Sequence, residues 1–454
     1  MGGKIDLYGL GTKGVNVVKS AVHLSPQELT KAQNAVADDL GEAGTLRKRD
    51  GLAKLNSTAF ASGGTVKGAI NLPFAYTPTV TLYAGIDTGK STLWRTSTNG
   101  TTWASNTTAP VKSQFASSNQ TTGVISNAAM VSFKNKLYYA GSDYVVYPTA
   151  SYSDPTIHCW DGTTDSVVGY APKNIAVGAT TTAQAIIAMC LHDNKLYFST
   201  LDGGAAPLLN SRVFEFDPVT GAIKQIGYTA AVAATEFSGG VVWALTSHAG
   251  SLWAGTSYLN AGSQSGHVYY IRPGVDTSWT DDETLTANQV VSSMASYKGL
   301  LYVGCRVDTI GSPVRCYVRS SAGAYTVSDN GGNTGAGYSH YSGLTVFGAN
   351  LFALRYDDSA ATASRITVRK FTGSAWSTVY TLATLGASRT QHLLGQGILA
   401  PDSSAVYLVI AETDGAGATD PDSDGIILRS TDGTTFTEVD TFTNLRGFIG
   451  YVIT

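Results

Sequence analysis

A chain of 454 residues with 43% apolar but only 14% charged residues can bury a large core, yet its surface must be polar through Ser, Thr, Asn, Gln and Gly, because soluble domains ordinarily carry roughly 25% charge. The net charge of −3 and pI near 6.2 exclude a broad positive field for gripping phosphates, although a channel through which DNA merely slides stays open. No apolar run of about eighteen residues is present to span a bilayer and the N-terminus lacks the basic-then-apolar order of a secretory signal, so a soluble protein made in the cytoplasm is expected.

In chain order, residues 1–45 come first and follow no repeat, so they are expected to form an extension. Ser25-Pro26-Gln27-Glu28 is a capping box with proline at the first helical position, which predicts a short helix from Pro26 to Val36. Gly41, Gly44 and the stretch Leu46-Arg47-Lys48-Arg49-Asp50-Gly51-Leu52 then lead into the first strands. Taken together, Gly14-Val15-Asn16, Leu24, Glu28-Leu29, Ala32-Gln33-Asn34 and Leu46 to Leu52 resemble the opening of tailed-bacteriophage virion proteins of the tail nozzle and head-to-tail adaptor kind. The resemblance covers about the first 55 residues, and Asp50 stands where proline is common in that family. It implies a non-catalytic structural subunit of the virion tail, made in the host bacterial cytoplasm. It further implies a closed homo-oligomeric ring that contacts other tail and neck proteins, with DNA passing through its channel without sequence recognition and with no membrane insertion. Val15, Asn16, Gln33, Asn34, Arg47, Lys48 and Arg49 are the docking residues that it implies. The plainer reading is a capped helix followed by a solvated basic turn, since three basic residues are a weak phosphate signal.

Beyond residue 45 one phrase recurs: a hydrophobic approach, a polar turn such as Lys-Asn or Ala-Gly, then an aliphatic followed by an aromatic. The pairs are Leu82-Tyr83, Leu137-Tyr138, Leu196-Tyr197, Leu252-Trp253, Leu301-Tyr302, Leu351-Phe352 and Val406-Tyr407, at intervals of 49 to 59 residues, close to a kelch-type period. The second half of each unit repeats too. Ser91 to Trp94 is followed by Trp103, Val213 to Phe216 by Pro218 and Gly221, Val268 to Ile271 by Trp279, and Ile366 to Phe371 by Trp376. That makes four alternating strands per unit, the composition of a propeller blade. One small twisted sheet cannot hide both faces, whereas stacking in a closed ring hides them mutually. Fifty glycines and 24 tyrosines suit such turns and pleated faces.

The expected fold is therefore all-β: a seven-bladed β-propeller of four-stranded blades over residues 46–454, with a short N-terminal extension containing one helix. The blades are expected near 66–105, 124–168, 184–227, 237–280, 289–329, 339–380 and 391–440, with closure by terminal strands. Each pair should sit on the second strand of its blade and send alternate side chains into the two inter-blade layers. Two turns, Arg95 to Trp103 with Asn99-Gly100 and Arg429 to Phe436 with Asp432-Gly433, resemble the Asp-box turn of sialidase-type and other propellers, where it is structural.

Chemistry is sparse. Cys159, Cys190, Cys305 and Cys316 are too dispersed for a disulfide scaffold, although Cys305 and Cys316 can face each other across one hairpin. The loop Asp420-Pro421-Asp422-Ser423-Asp424-Gly425 alternates carboxylates and can wrap one hard cation such as calcium. Against this, Thr431 occupies the bidentate position of an EF-hand, and a hydrated turn explains the same residues. The histidines show no metal-ligand spacing; His192 and His248 both precede a pair by about four residues and should occupy equivalent structural places beside hairpin turns. A glycosidase would need acids such as Glu215, Asp357 and Asp358 paired in a central funnel. A sialidase would also need converging arginines, for which Arg306, Arg315 and Arg355 are the suggestive set. A third reading, a propeller that binds glycans, would place Tyr and Trp on the long loops Asp202 to Ser211 and Tyr258 to His267.

Overall fold

The computed structural model describes residues 35–37, 46–48, 82–87, 92–97, 102, 104–106, 129–134, 136–146, 151–161, 164–171, 182–203, 211–227, 237, 240–260, 263–286, 289–307, 313–330, 339–357, 366–382, 393–399, 405–412, 425–442 and 447–453. Residues 1–75 and 76–454 form two compact units.

In the first unit, strands Ala35–Ala37 and Leu46–Lys48 pair antiparallel with Val36 opposite Arg47. Val36, expected as the last helical residue, thus lies on a strand, and the boundary expected at residue 45 falls inside this hairpin. Ala35 and Val36 pair as a strand instead, a non-local choice that a capping box does not encode. The remainder of the expected helix lies outside the described residues, as do Val15, Asn16, Gln33, Asn34 and Arg49.

The second unit is built of four-stranded antiparallel meanders, each strand paired with the next. Sheet 1 is unusual in joining the two ends of the unit: Gly447–Ile453 is its first strand and pairs with Leu82–Asp87, which is followed by Thr92–Ser97 and Ala104–Asn106. Sheet 2 comprises Met130–Phe133, Lys136–Val146, Ser151–Trp160 and Asp165–Tyr170. Sheet 3 comprises Thr182–His192, Lys195–Gly203, Val213–Phe216 and Ile223–Gln225. Sheet 4 comprises Gly240–His248, Ser251–Asn260, His267–Ile271 and Thr280–Thr284, with the short strand Ser263–Ser265 on its second strand. Sheet 5 comprises Val290–Tyr297, Leu300–Val307, Arg315–Arg319 and Tyr325–Asn330. Sheet 6 comprises Ser339–Phe347, Asn350–Asp357, Ile366–Phe371 and Trp376–Leu382, and sheet 7 Leu393–Leu399, Val406–Glu412, Gly425–Ser430 and Thr437–Phe442. Sheets 5 and 6 are joined where Arg306 and Val307 pair with His340 and Ser339.

The first strands of sheets 2 to 7 lie side by side in order. That of sheet 7 lies beside Gly447–Ile453, and Gly447–Ile453 lies beside Met130–Phe133, so the row returns to its start. This all-β arrangement of consecutive four-stranded sheets is that of a β-propeller.

The recurring pairs explain how the sheets stack. All seven lie at the start of a second strand, and the six whose side chains are described are buried. Because neighbouring residues on a strand point to opposite faces, each pair serves two layers. Leu196 packs with Tyr138 and Ile157 of sheet 2, whereas Tyr197 packs with Val242 and Leu252 of sheet 4. Trp253 reaches the layer containing Val291 and Leu301, Tyr302 the layer containing Tyr341 and Leu351, and Phe352 the layer containing Val406 and Leu408. Thus the aliphatic member looks back and the aromatic member looks forward, and each buried side chain contributes about 1.5–3 kcal/mol.

Three residues after the aliphatic the layers come closest. A Cβ on Gly255 would stand 2.1 Å from Val291 Cγ1, and one on Gly304 would stand 3.0 Å from Tyr341 Cβ. Sheet 3 carries Ser199 at this place, and its hydroxyl donates to the carbonyl oxygen of Val242 at 3.0 Å.

Candidate functional site

Antiparallel order gives each sheet two unlike rims. The turns between first and second strands and between third and fourth strands share one rim, and those that lead into the second strands of sheets 3, 4 and 5 are two residues long. Asp193 and Asn194 stand at φ 51° and 58°, and Lys298 and Gly299 at 49° and 75°, the two positive-φ residues of a type I′ hairpin. The opposite rim carries the connections between second and third strands and from each sheet to the next. The acidic residues Asp420, Asp422 and Asp424, proposed from sequence as a calcium loop, belong to such a connection in sheet 7 and lie outside the described residues. Among the described residues no group of three His, Cys, Asp or Glu is placed to hold a metal ion.

The described residues that sequence named for a glycosidase or sialidase lie on sheets 3, 5 and 6. Glu215 is on the third strand of sheet 3, where it accepts from Lys195 Nζ at 2.8 Å and from the Tyr197 hydroxyl at 3.0 Å. Asp357 ends the second strand of sheet 6, buried, with its carboxylate 4.0 Å from Arg355 Nη2. Sheets 3 and 6 are not consecutive, so these acids belong to separate layers; Asp358 lies outside the described residues. Arg306 stacks over Trp243 at 5.5 Å, while Arg315 donates to Thr286 Oγ1 at 3.0 Å and to the Tyr317 hydroxyl at 3.3 Å. Arg306 is opposite His340 and Arg355 is opposite Tyr341. These adjacent register positions put Arg306 and Arg355 on opposite faces of the joined sheet.

The same one-residue argument settles the cysteines. Cys316 is opposite Gly304, so Cys305 points to the other face; the two thiols occupy different layers and are free. Burial pushes the Cys190, Cys305 and Cys316 thiols up, which keeps them protonated and unreactive.

What the polar side chains do instead is tie sheet to sheet. In sheet 5 the third-strand Arg319 forks onto Asp282 on the fourth strand of sheet 4, with Nε and Nη2 at 2.6 and 2.8 Å, and the Tyr325 hydroxyl donates to the same carboxylate at 2.9 Å. One period later Arg369 of sheet 6 forks onto Asp329 of sheet 5 at 3.1 Å from both nitrogens, and there the Tyr341 hydroxyl donates at 2.9 Å. Desolvation, reinforced by the neighbouring carboxylate, raises the Tyr325 and Tyr341 phenols, so both stay donors. Sequence reasoning missed these forks, although the recurrence of arginine near the third-strand end one period apart was a signal that could have found them.

His192 and His248 occupy the equivalent places expected from their spacing. Each ends a first strand at the tight rim and is buried, with Nδ1 2.8 Å from a serine hydroxyl of the following sheet, Ser247 and Ser296 respectively. His158 is different: it lies within sheet 2, Nδ1 2.8 Å from Asp165, whose other oxygen accepts from the Tyr139 hydroxyl at 2.7 Å.

The turn Ser430 to Phe436 has the hydrogen bonds of an Asp-box. Asp432 accepts from the amides of Thr434 and Thr435, both at 2.7 Å, and Ser430 Oγ accepts from the Gly433 amide at 2.9 Å. Those backbone donors hold the Asp432 carboxyl well below the usual carboxylate range. Phe436 is buried beside Phe352. The turn anchors sheet 7 to sheet 6 and presents no reactive group.

No family profile and no curated protein sequence matches the chain. Among solved structures it is similar to Trypanosoma rangeli sialidase in complex with the inhibitor DANA, with TM-score 0.43 and 11% identity over 67% of this chain and 55% of that one. It is similar to an arginine-to-alanine mutant of AofleA from Arthrobotrys oligospora, with TM-score 0.43 and 11% identity over 73% and 90% of the two chains. It is also similar to a prolyl endopeptidase, with TM-score 0.37 and 10% identity over 72% and 51%. The chain spans about half the length of the sialidase and prolyl endopeptidase chains that it matches.

Proposed function

We propose that this chain is a seven-bladed β-propeller serving as a non-catalytic structural subunit of a bacteriophage tail, in a nozzle or head-to-tail adaptor ring around the DNA channel. The observation that carries the assignment is the opening sequence, Gly14-Val15-Asn16 through Ala32-Gln33-Asn34 to Leu46-Arg47-Lys48-Arg49-Asp50-Gly51-Leu52. The blade number is supported by the row of first strands that returns to its start, with each sheet counted as one blade. The commitment of Arg319 and Arg369 to carboxylates of the neighbouring sheet fits a role in which rigidity, rather than turnover, is what the fold supplies. Val15, Asn16, Gln33, Asn34, Arg47, Lys48 and Arg49 would dock on a neighbouring copy or on adjoining tail and neck proteins, and DNA would pass without being read.

The test is electron microscopy of the purified protein together with antibody labelling of phage particles. Closed rings and label confined to the tail are expected. Monomers at every concentration with no antigen in the particle would refute the assignment, and hits on a glycan array would move it to a carbohydrate-binding propeller.

A further inference from the structure

At the rim of tight turns, three consecutive gaps between sheets are crossed by one kind of link. His192 of sheet 3 meets Ser247 of sheet 4, His248 of sheet 4 meets Ser296 of sheet 5, and Tyr297 of sheet 5 donates its hydroxyl to the carbonyl oxygen of Ala349 in sheet 6. Ser247 immediately precedes His248, and Ser296 immediately precedes Tyr297. The links therefore run as a relay, each serine beside the side chain that makes the next link. Both imidazoles also lie against the aromatic of their own recurring pair, His192 edge-on to Tyr197 at 6.0 Å and His248 edge-on to Trp253 at 5.8 Å. They are 6% and 7% exposed.

We propose that His192 and His248 make this relay acid-sensitive, so that protonating both rings loosens sheets 3, 4 and 5 against one another while the Tyr297 link to sheet 6 stays closed. A neutral imidazole and a serine hydroxyl can share a proton in either direction, whereas an imidazolium can only donate and brings a charge among aromatic rings. The charged groups around each ring adjust a balance that burial sets. At His192 they are the adjacent Asp193, which favours a positive ring, and the Lys195–Glu215 pair across the hairpin; sheet 4 offers only the neutral Ser247. At His248 the guanidinium of Arg319, 5.0 Å above Trp253 and held by Asp282, opposes a second positive charge; sheet 5 otherwise offers Ser296.

Burial is the largest influence on both rings and holds them below the usual histidine range. The unfolded chain, whose histidines titrate near ~6.5, then binds more protons than the folded one as the medium is acidified. The stabilisation is complete above that value and is lost as pH falls from it through the folded-state value.

Amide hydrogen exchange of the full chain at pH 7.5 and pH 5.5, corrected for intrinsic rates, tests this directly. In the natural sequence, opening of strands Thr182–His192 and Gly240–His248 is expected to increase several-fold and at most about tenfold per histidine, the ceiling set by the roughly one pH unit between the unfolded-state value and pH 5.5. Any change in strand Asn350–Asp357, which pairs with the buried His340, should be the same in the natural and substituted chains. In H192N/H248N, whose amides place a polar atom near the position of Nδ1 and do not titrate, the increase should vanish whatever the variant's absolute stability. If the double variant fails to fold, the single variants should each abolish the effect in their own gap alone. Equal pH dependence in the natural and substituted chains, or a pH-independent natural chain, would overturn the proposal.

Discussion

Glycine 433 shows how much a single position of the chain decides. It sits at φ 65°, and a Cβ there would stand 2.8 Å from Phe352 Cζ, the aromatic of a recurring pair. The positive φ and the collision act together, so Gly433→Ala should cost about 1–3 kcal/mol, read as a lower urea midpoint with an unchanged slope. A midpoint equal to that of the natural chain would mean that Phe352 yields freely. The sequence disclosed this turn because Asp-Gly followed by Thr-Thr-Phe spells its hydrogen bonds, and it disclosed the pairs because their period is regular. It did not disclose the tight place at Gly255, since glycine in a strand reads equally as a bulge or a defect until the facing Val291 is seen. Whether Cys305 and Cys316 face each other could not be read from sequence for an equally local reason: hairpin spacing leaves the register uncertain by one residue, and one residue reverses the face.

At the level of strands and sheets, the forks of Arg319 and Arg369 are the polar counterpart of the recurring pairs. Both partners of the second fork are largely buried, Arg369 13% and Asp329 11% exposed in their side chains. Removing one charge strands the other. Arg369→Met is therefore expected to destabilise the chain by about 3 kcal/mol, and adding Asp329→Asn should restore part of the loss in the same urea titration. A single variant as stable as the natural chain would mean that water reaches Asp329 readily. Strand number, strand order and the places of His192 and His248 were all legible, because each is a property of one repeating unit. The pairing of Arg306 and Val307 with His340 and Ser339 was not, since hydrogen bonding between units leaves no mark on the alternation within them. The end of the predicted helix was missed where Ala35–Ala37 finds a strand partner ten or so residues on, a non-local choice that propensity does not see.

For the unit spanning residues 76–454, order of assembly follows from sheet 1, whose first strand Gly447–Ile453 comes from the opposite end of the unit to its remaining three. Deleting residues 447–454 should expose the backbone of Leu82–Asp87 and the flank of sheet 7, giving a product that aggregates or binds a hydrophobic dye, and a synthetic peptide of those residues should reverse this. A soluble, dye-silent truncation would show that the stack does not depend on that strand. The long connections, including Asp420 to Asp424, were legible only as composition, because oxygen ligands converge or not according to a loop path that no periodicity encodes. There is also a consequence for biosynthesis. A ribosome releases residue 87 long before residue 447, so sheets 2 to 7 can begin stacking during translation while the three first-made strands of sheet 1 wait for their fourth. The last step of maturation is then a ligation without a covalent bond, and a cell that stalls late in the message is left holding an open, sticky arc rather than a smaller wheel.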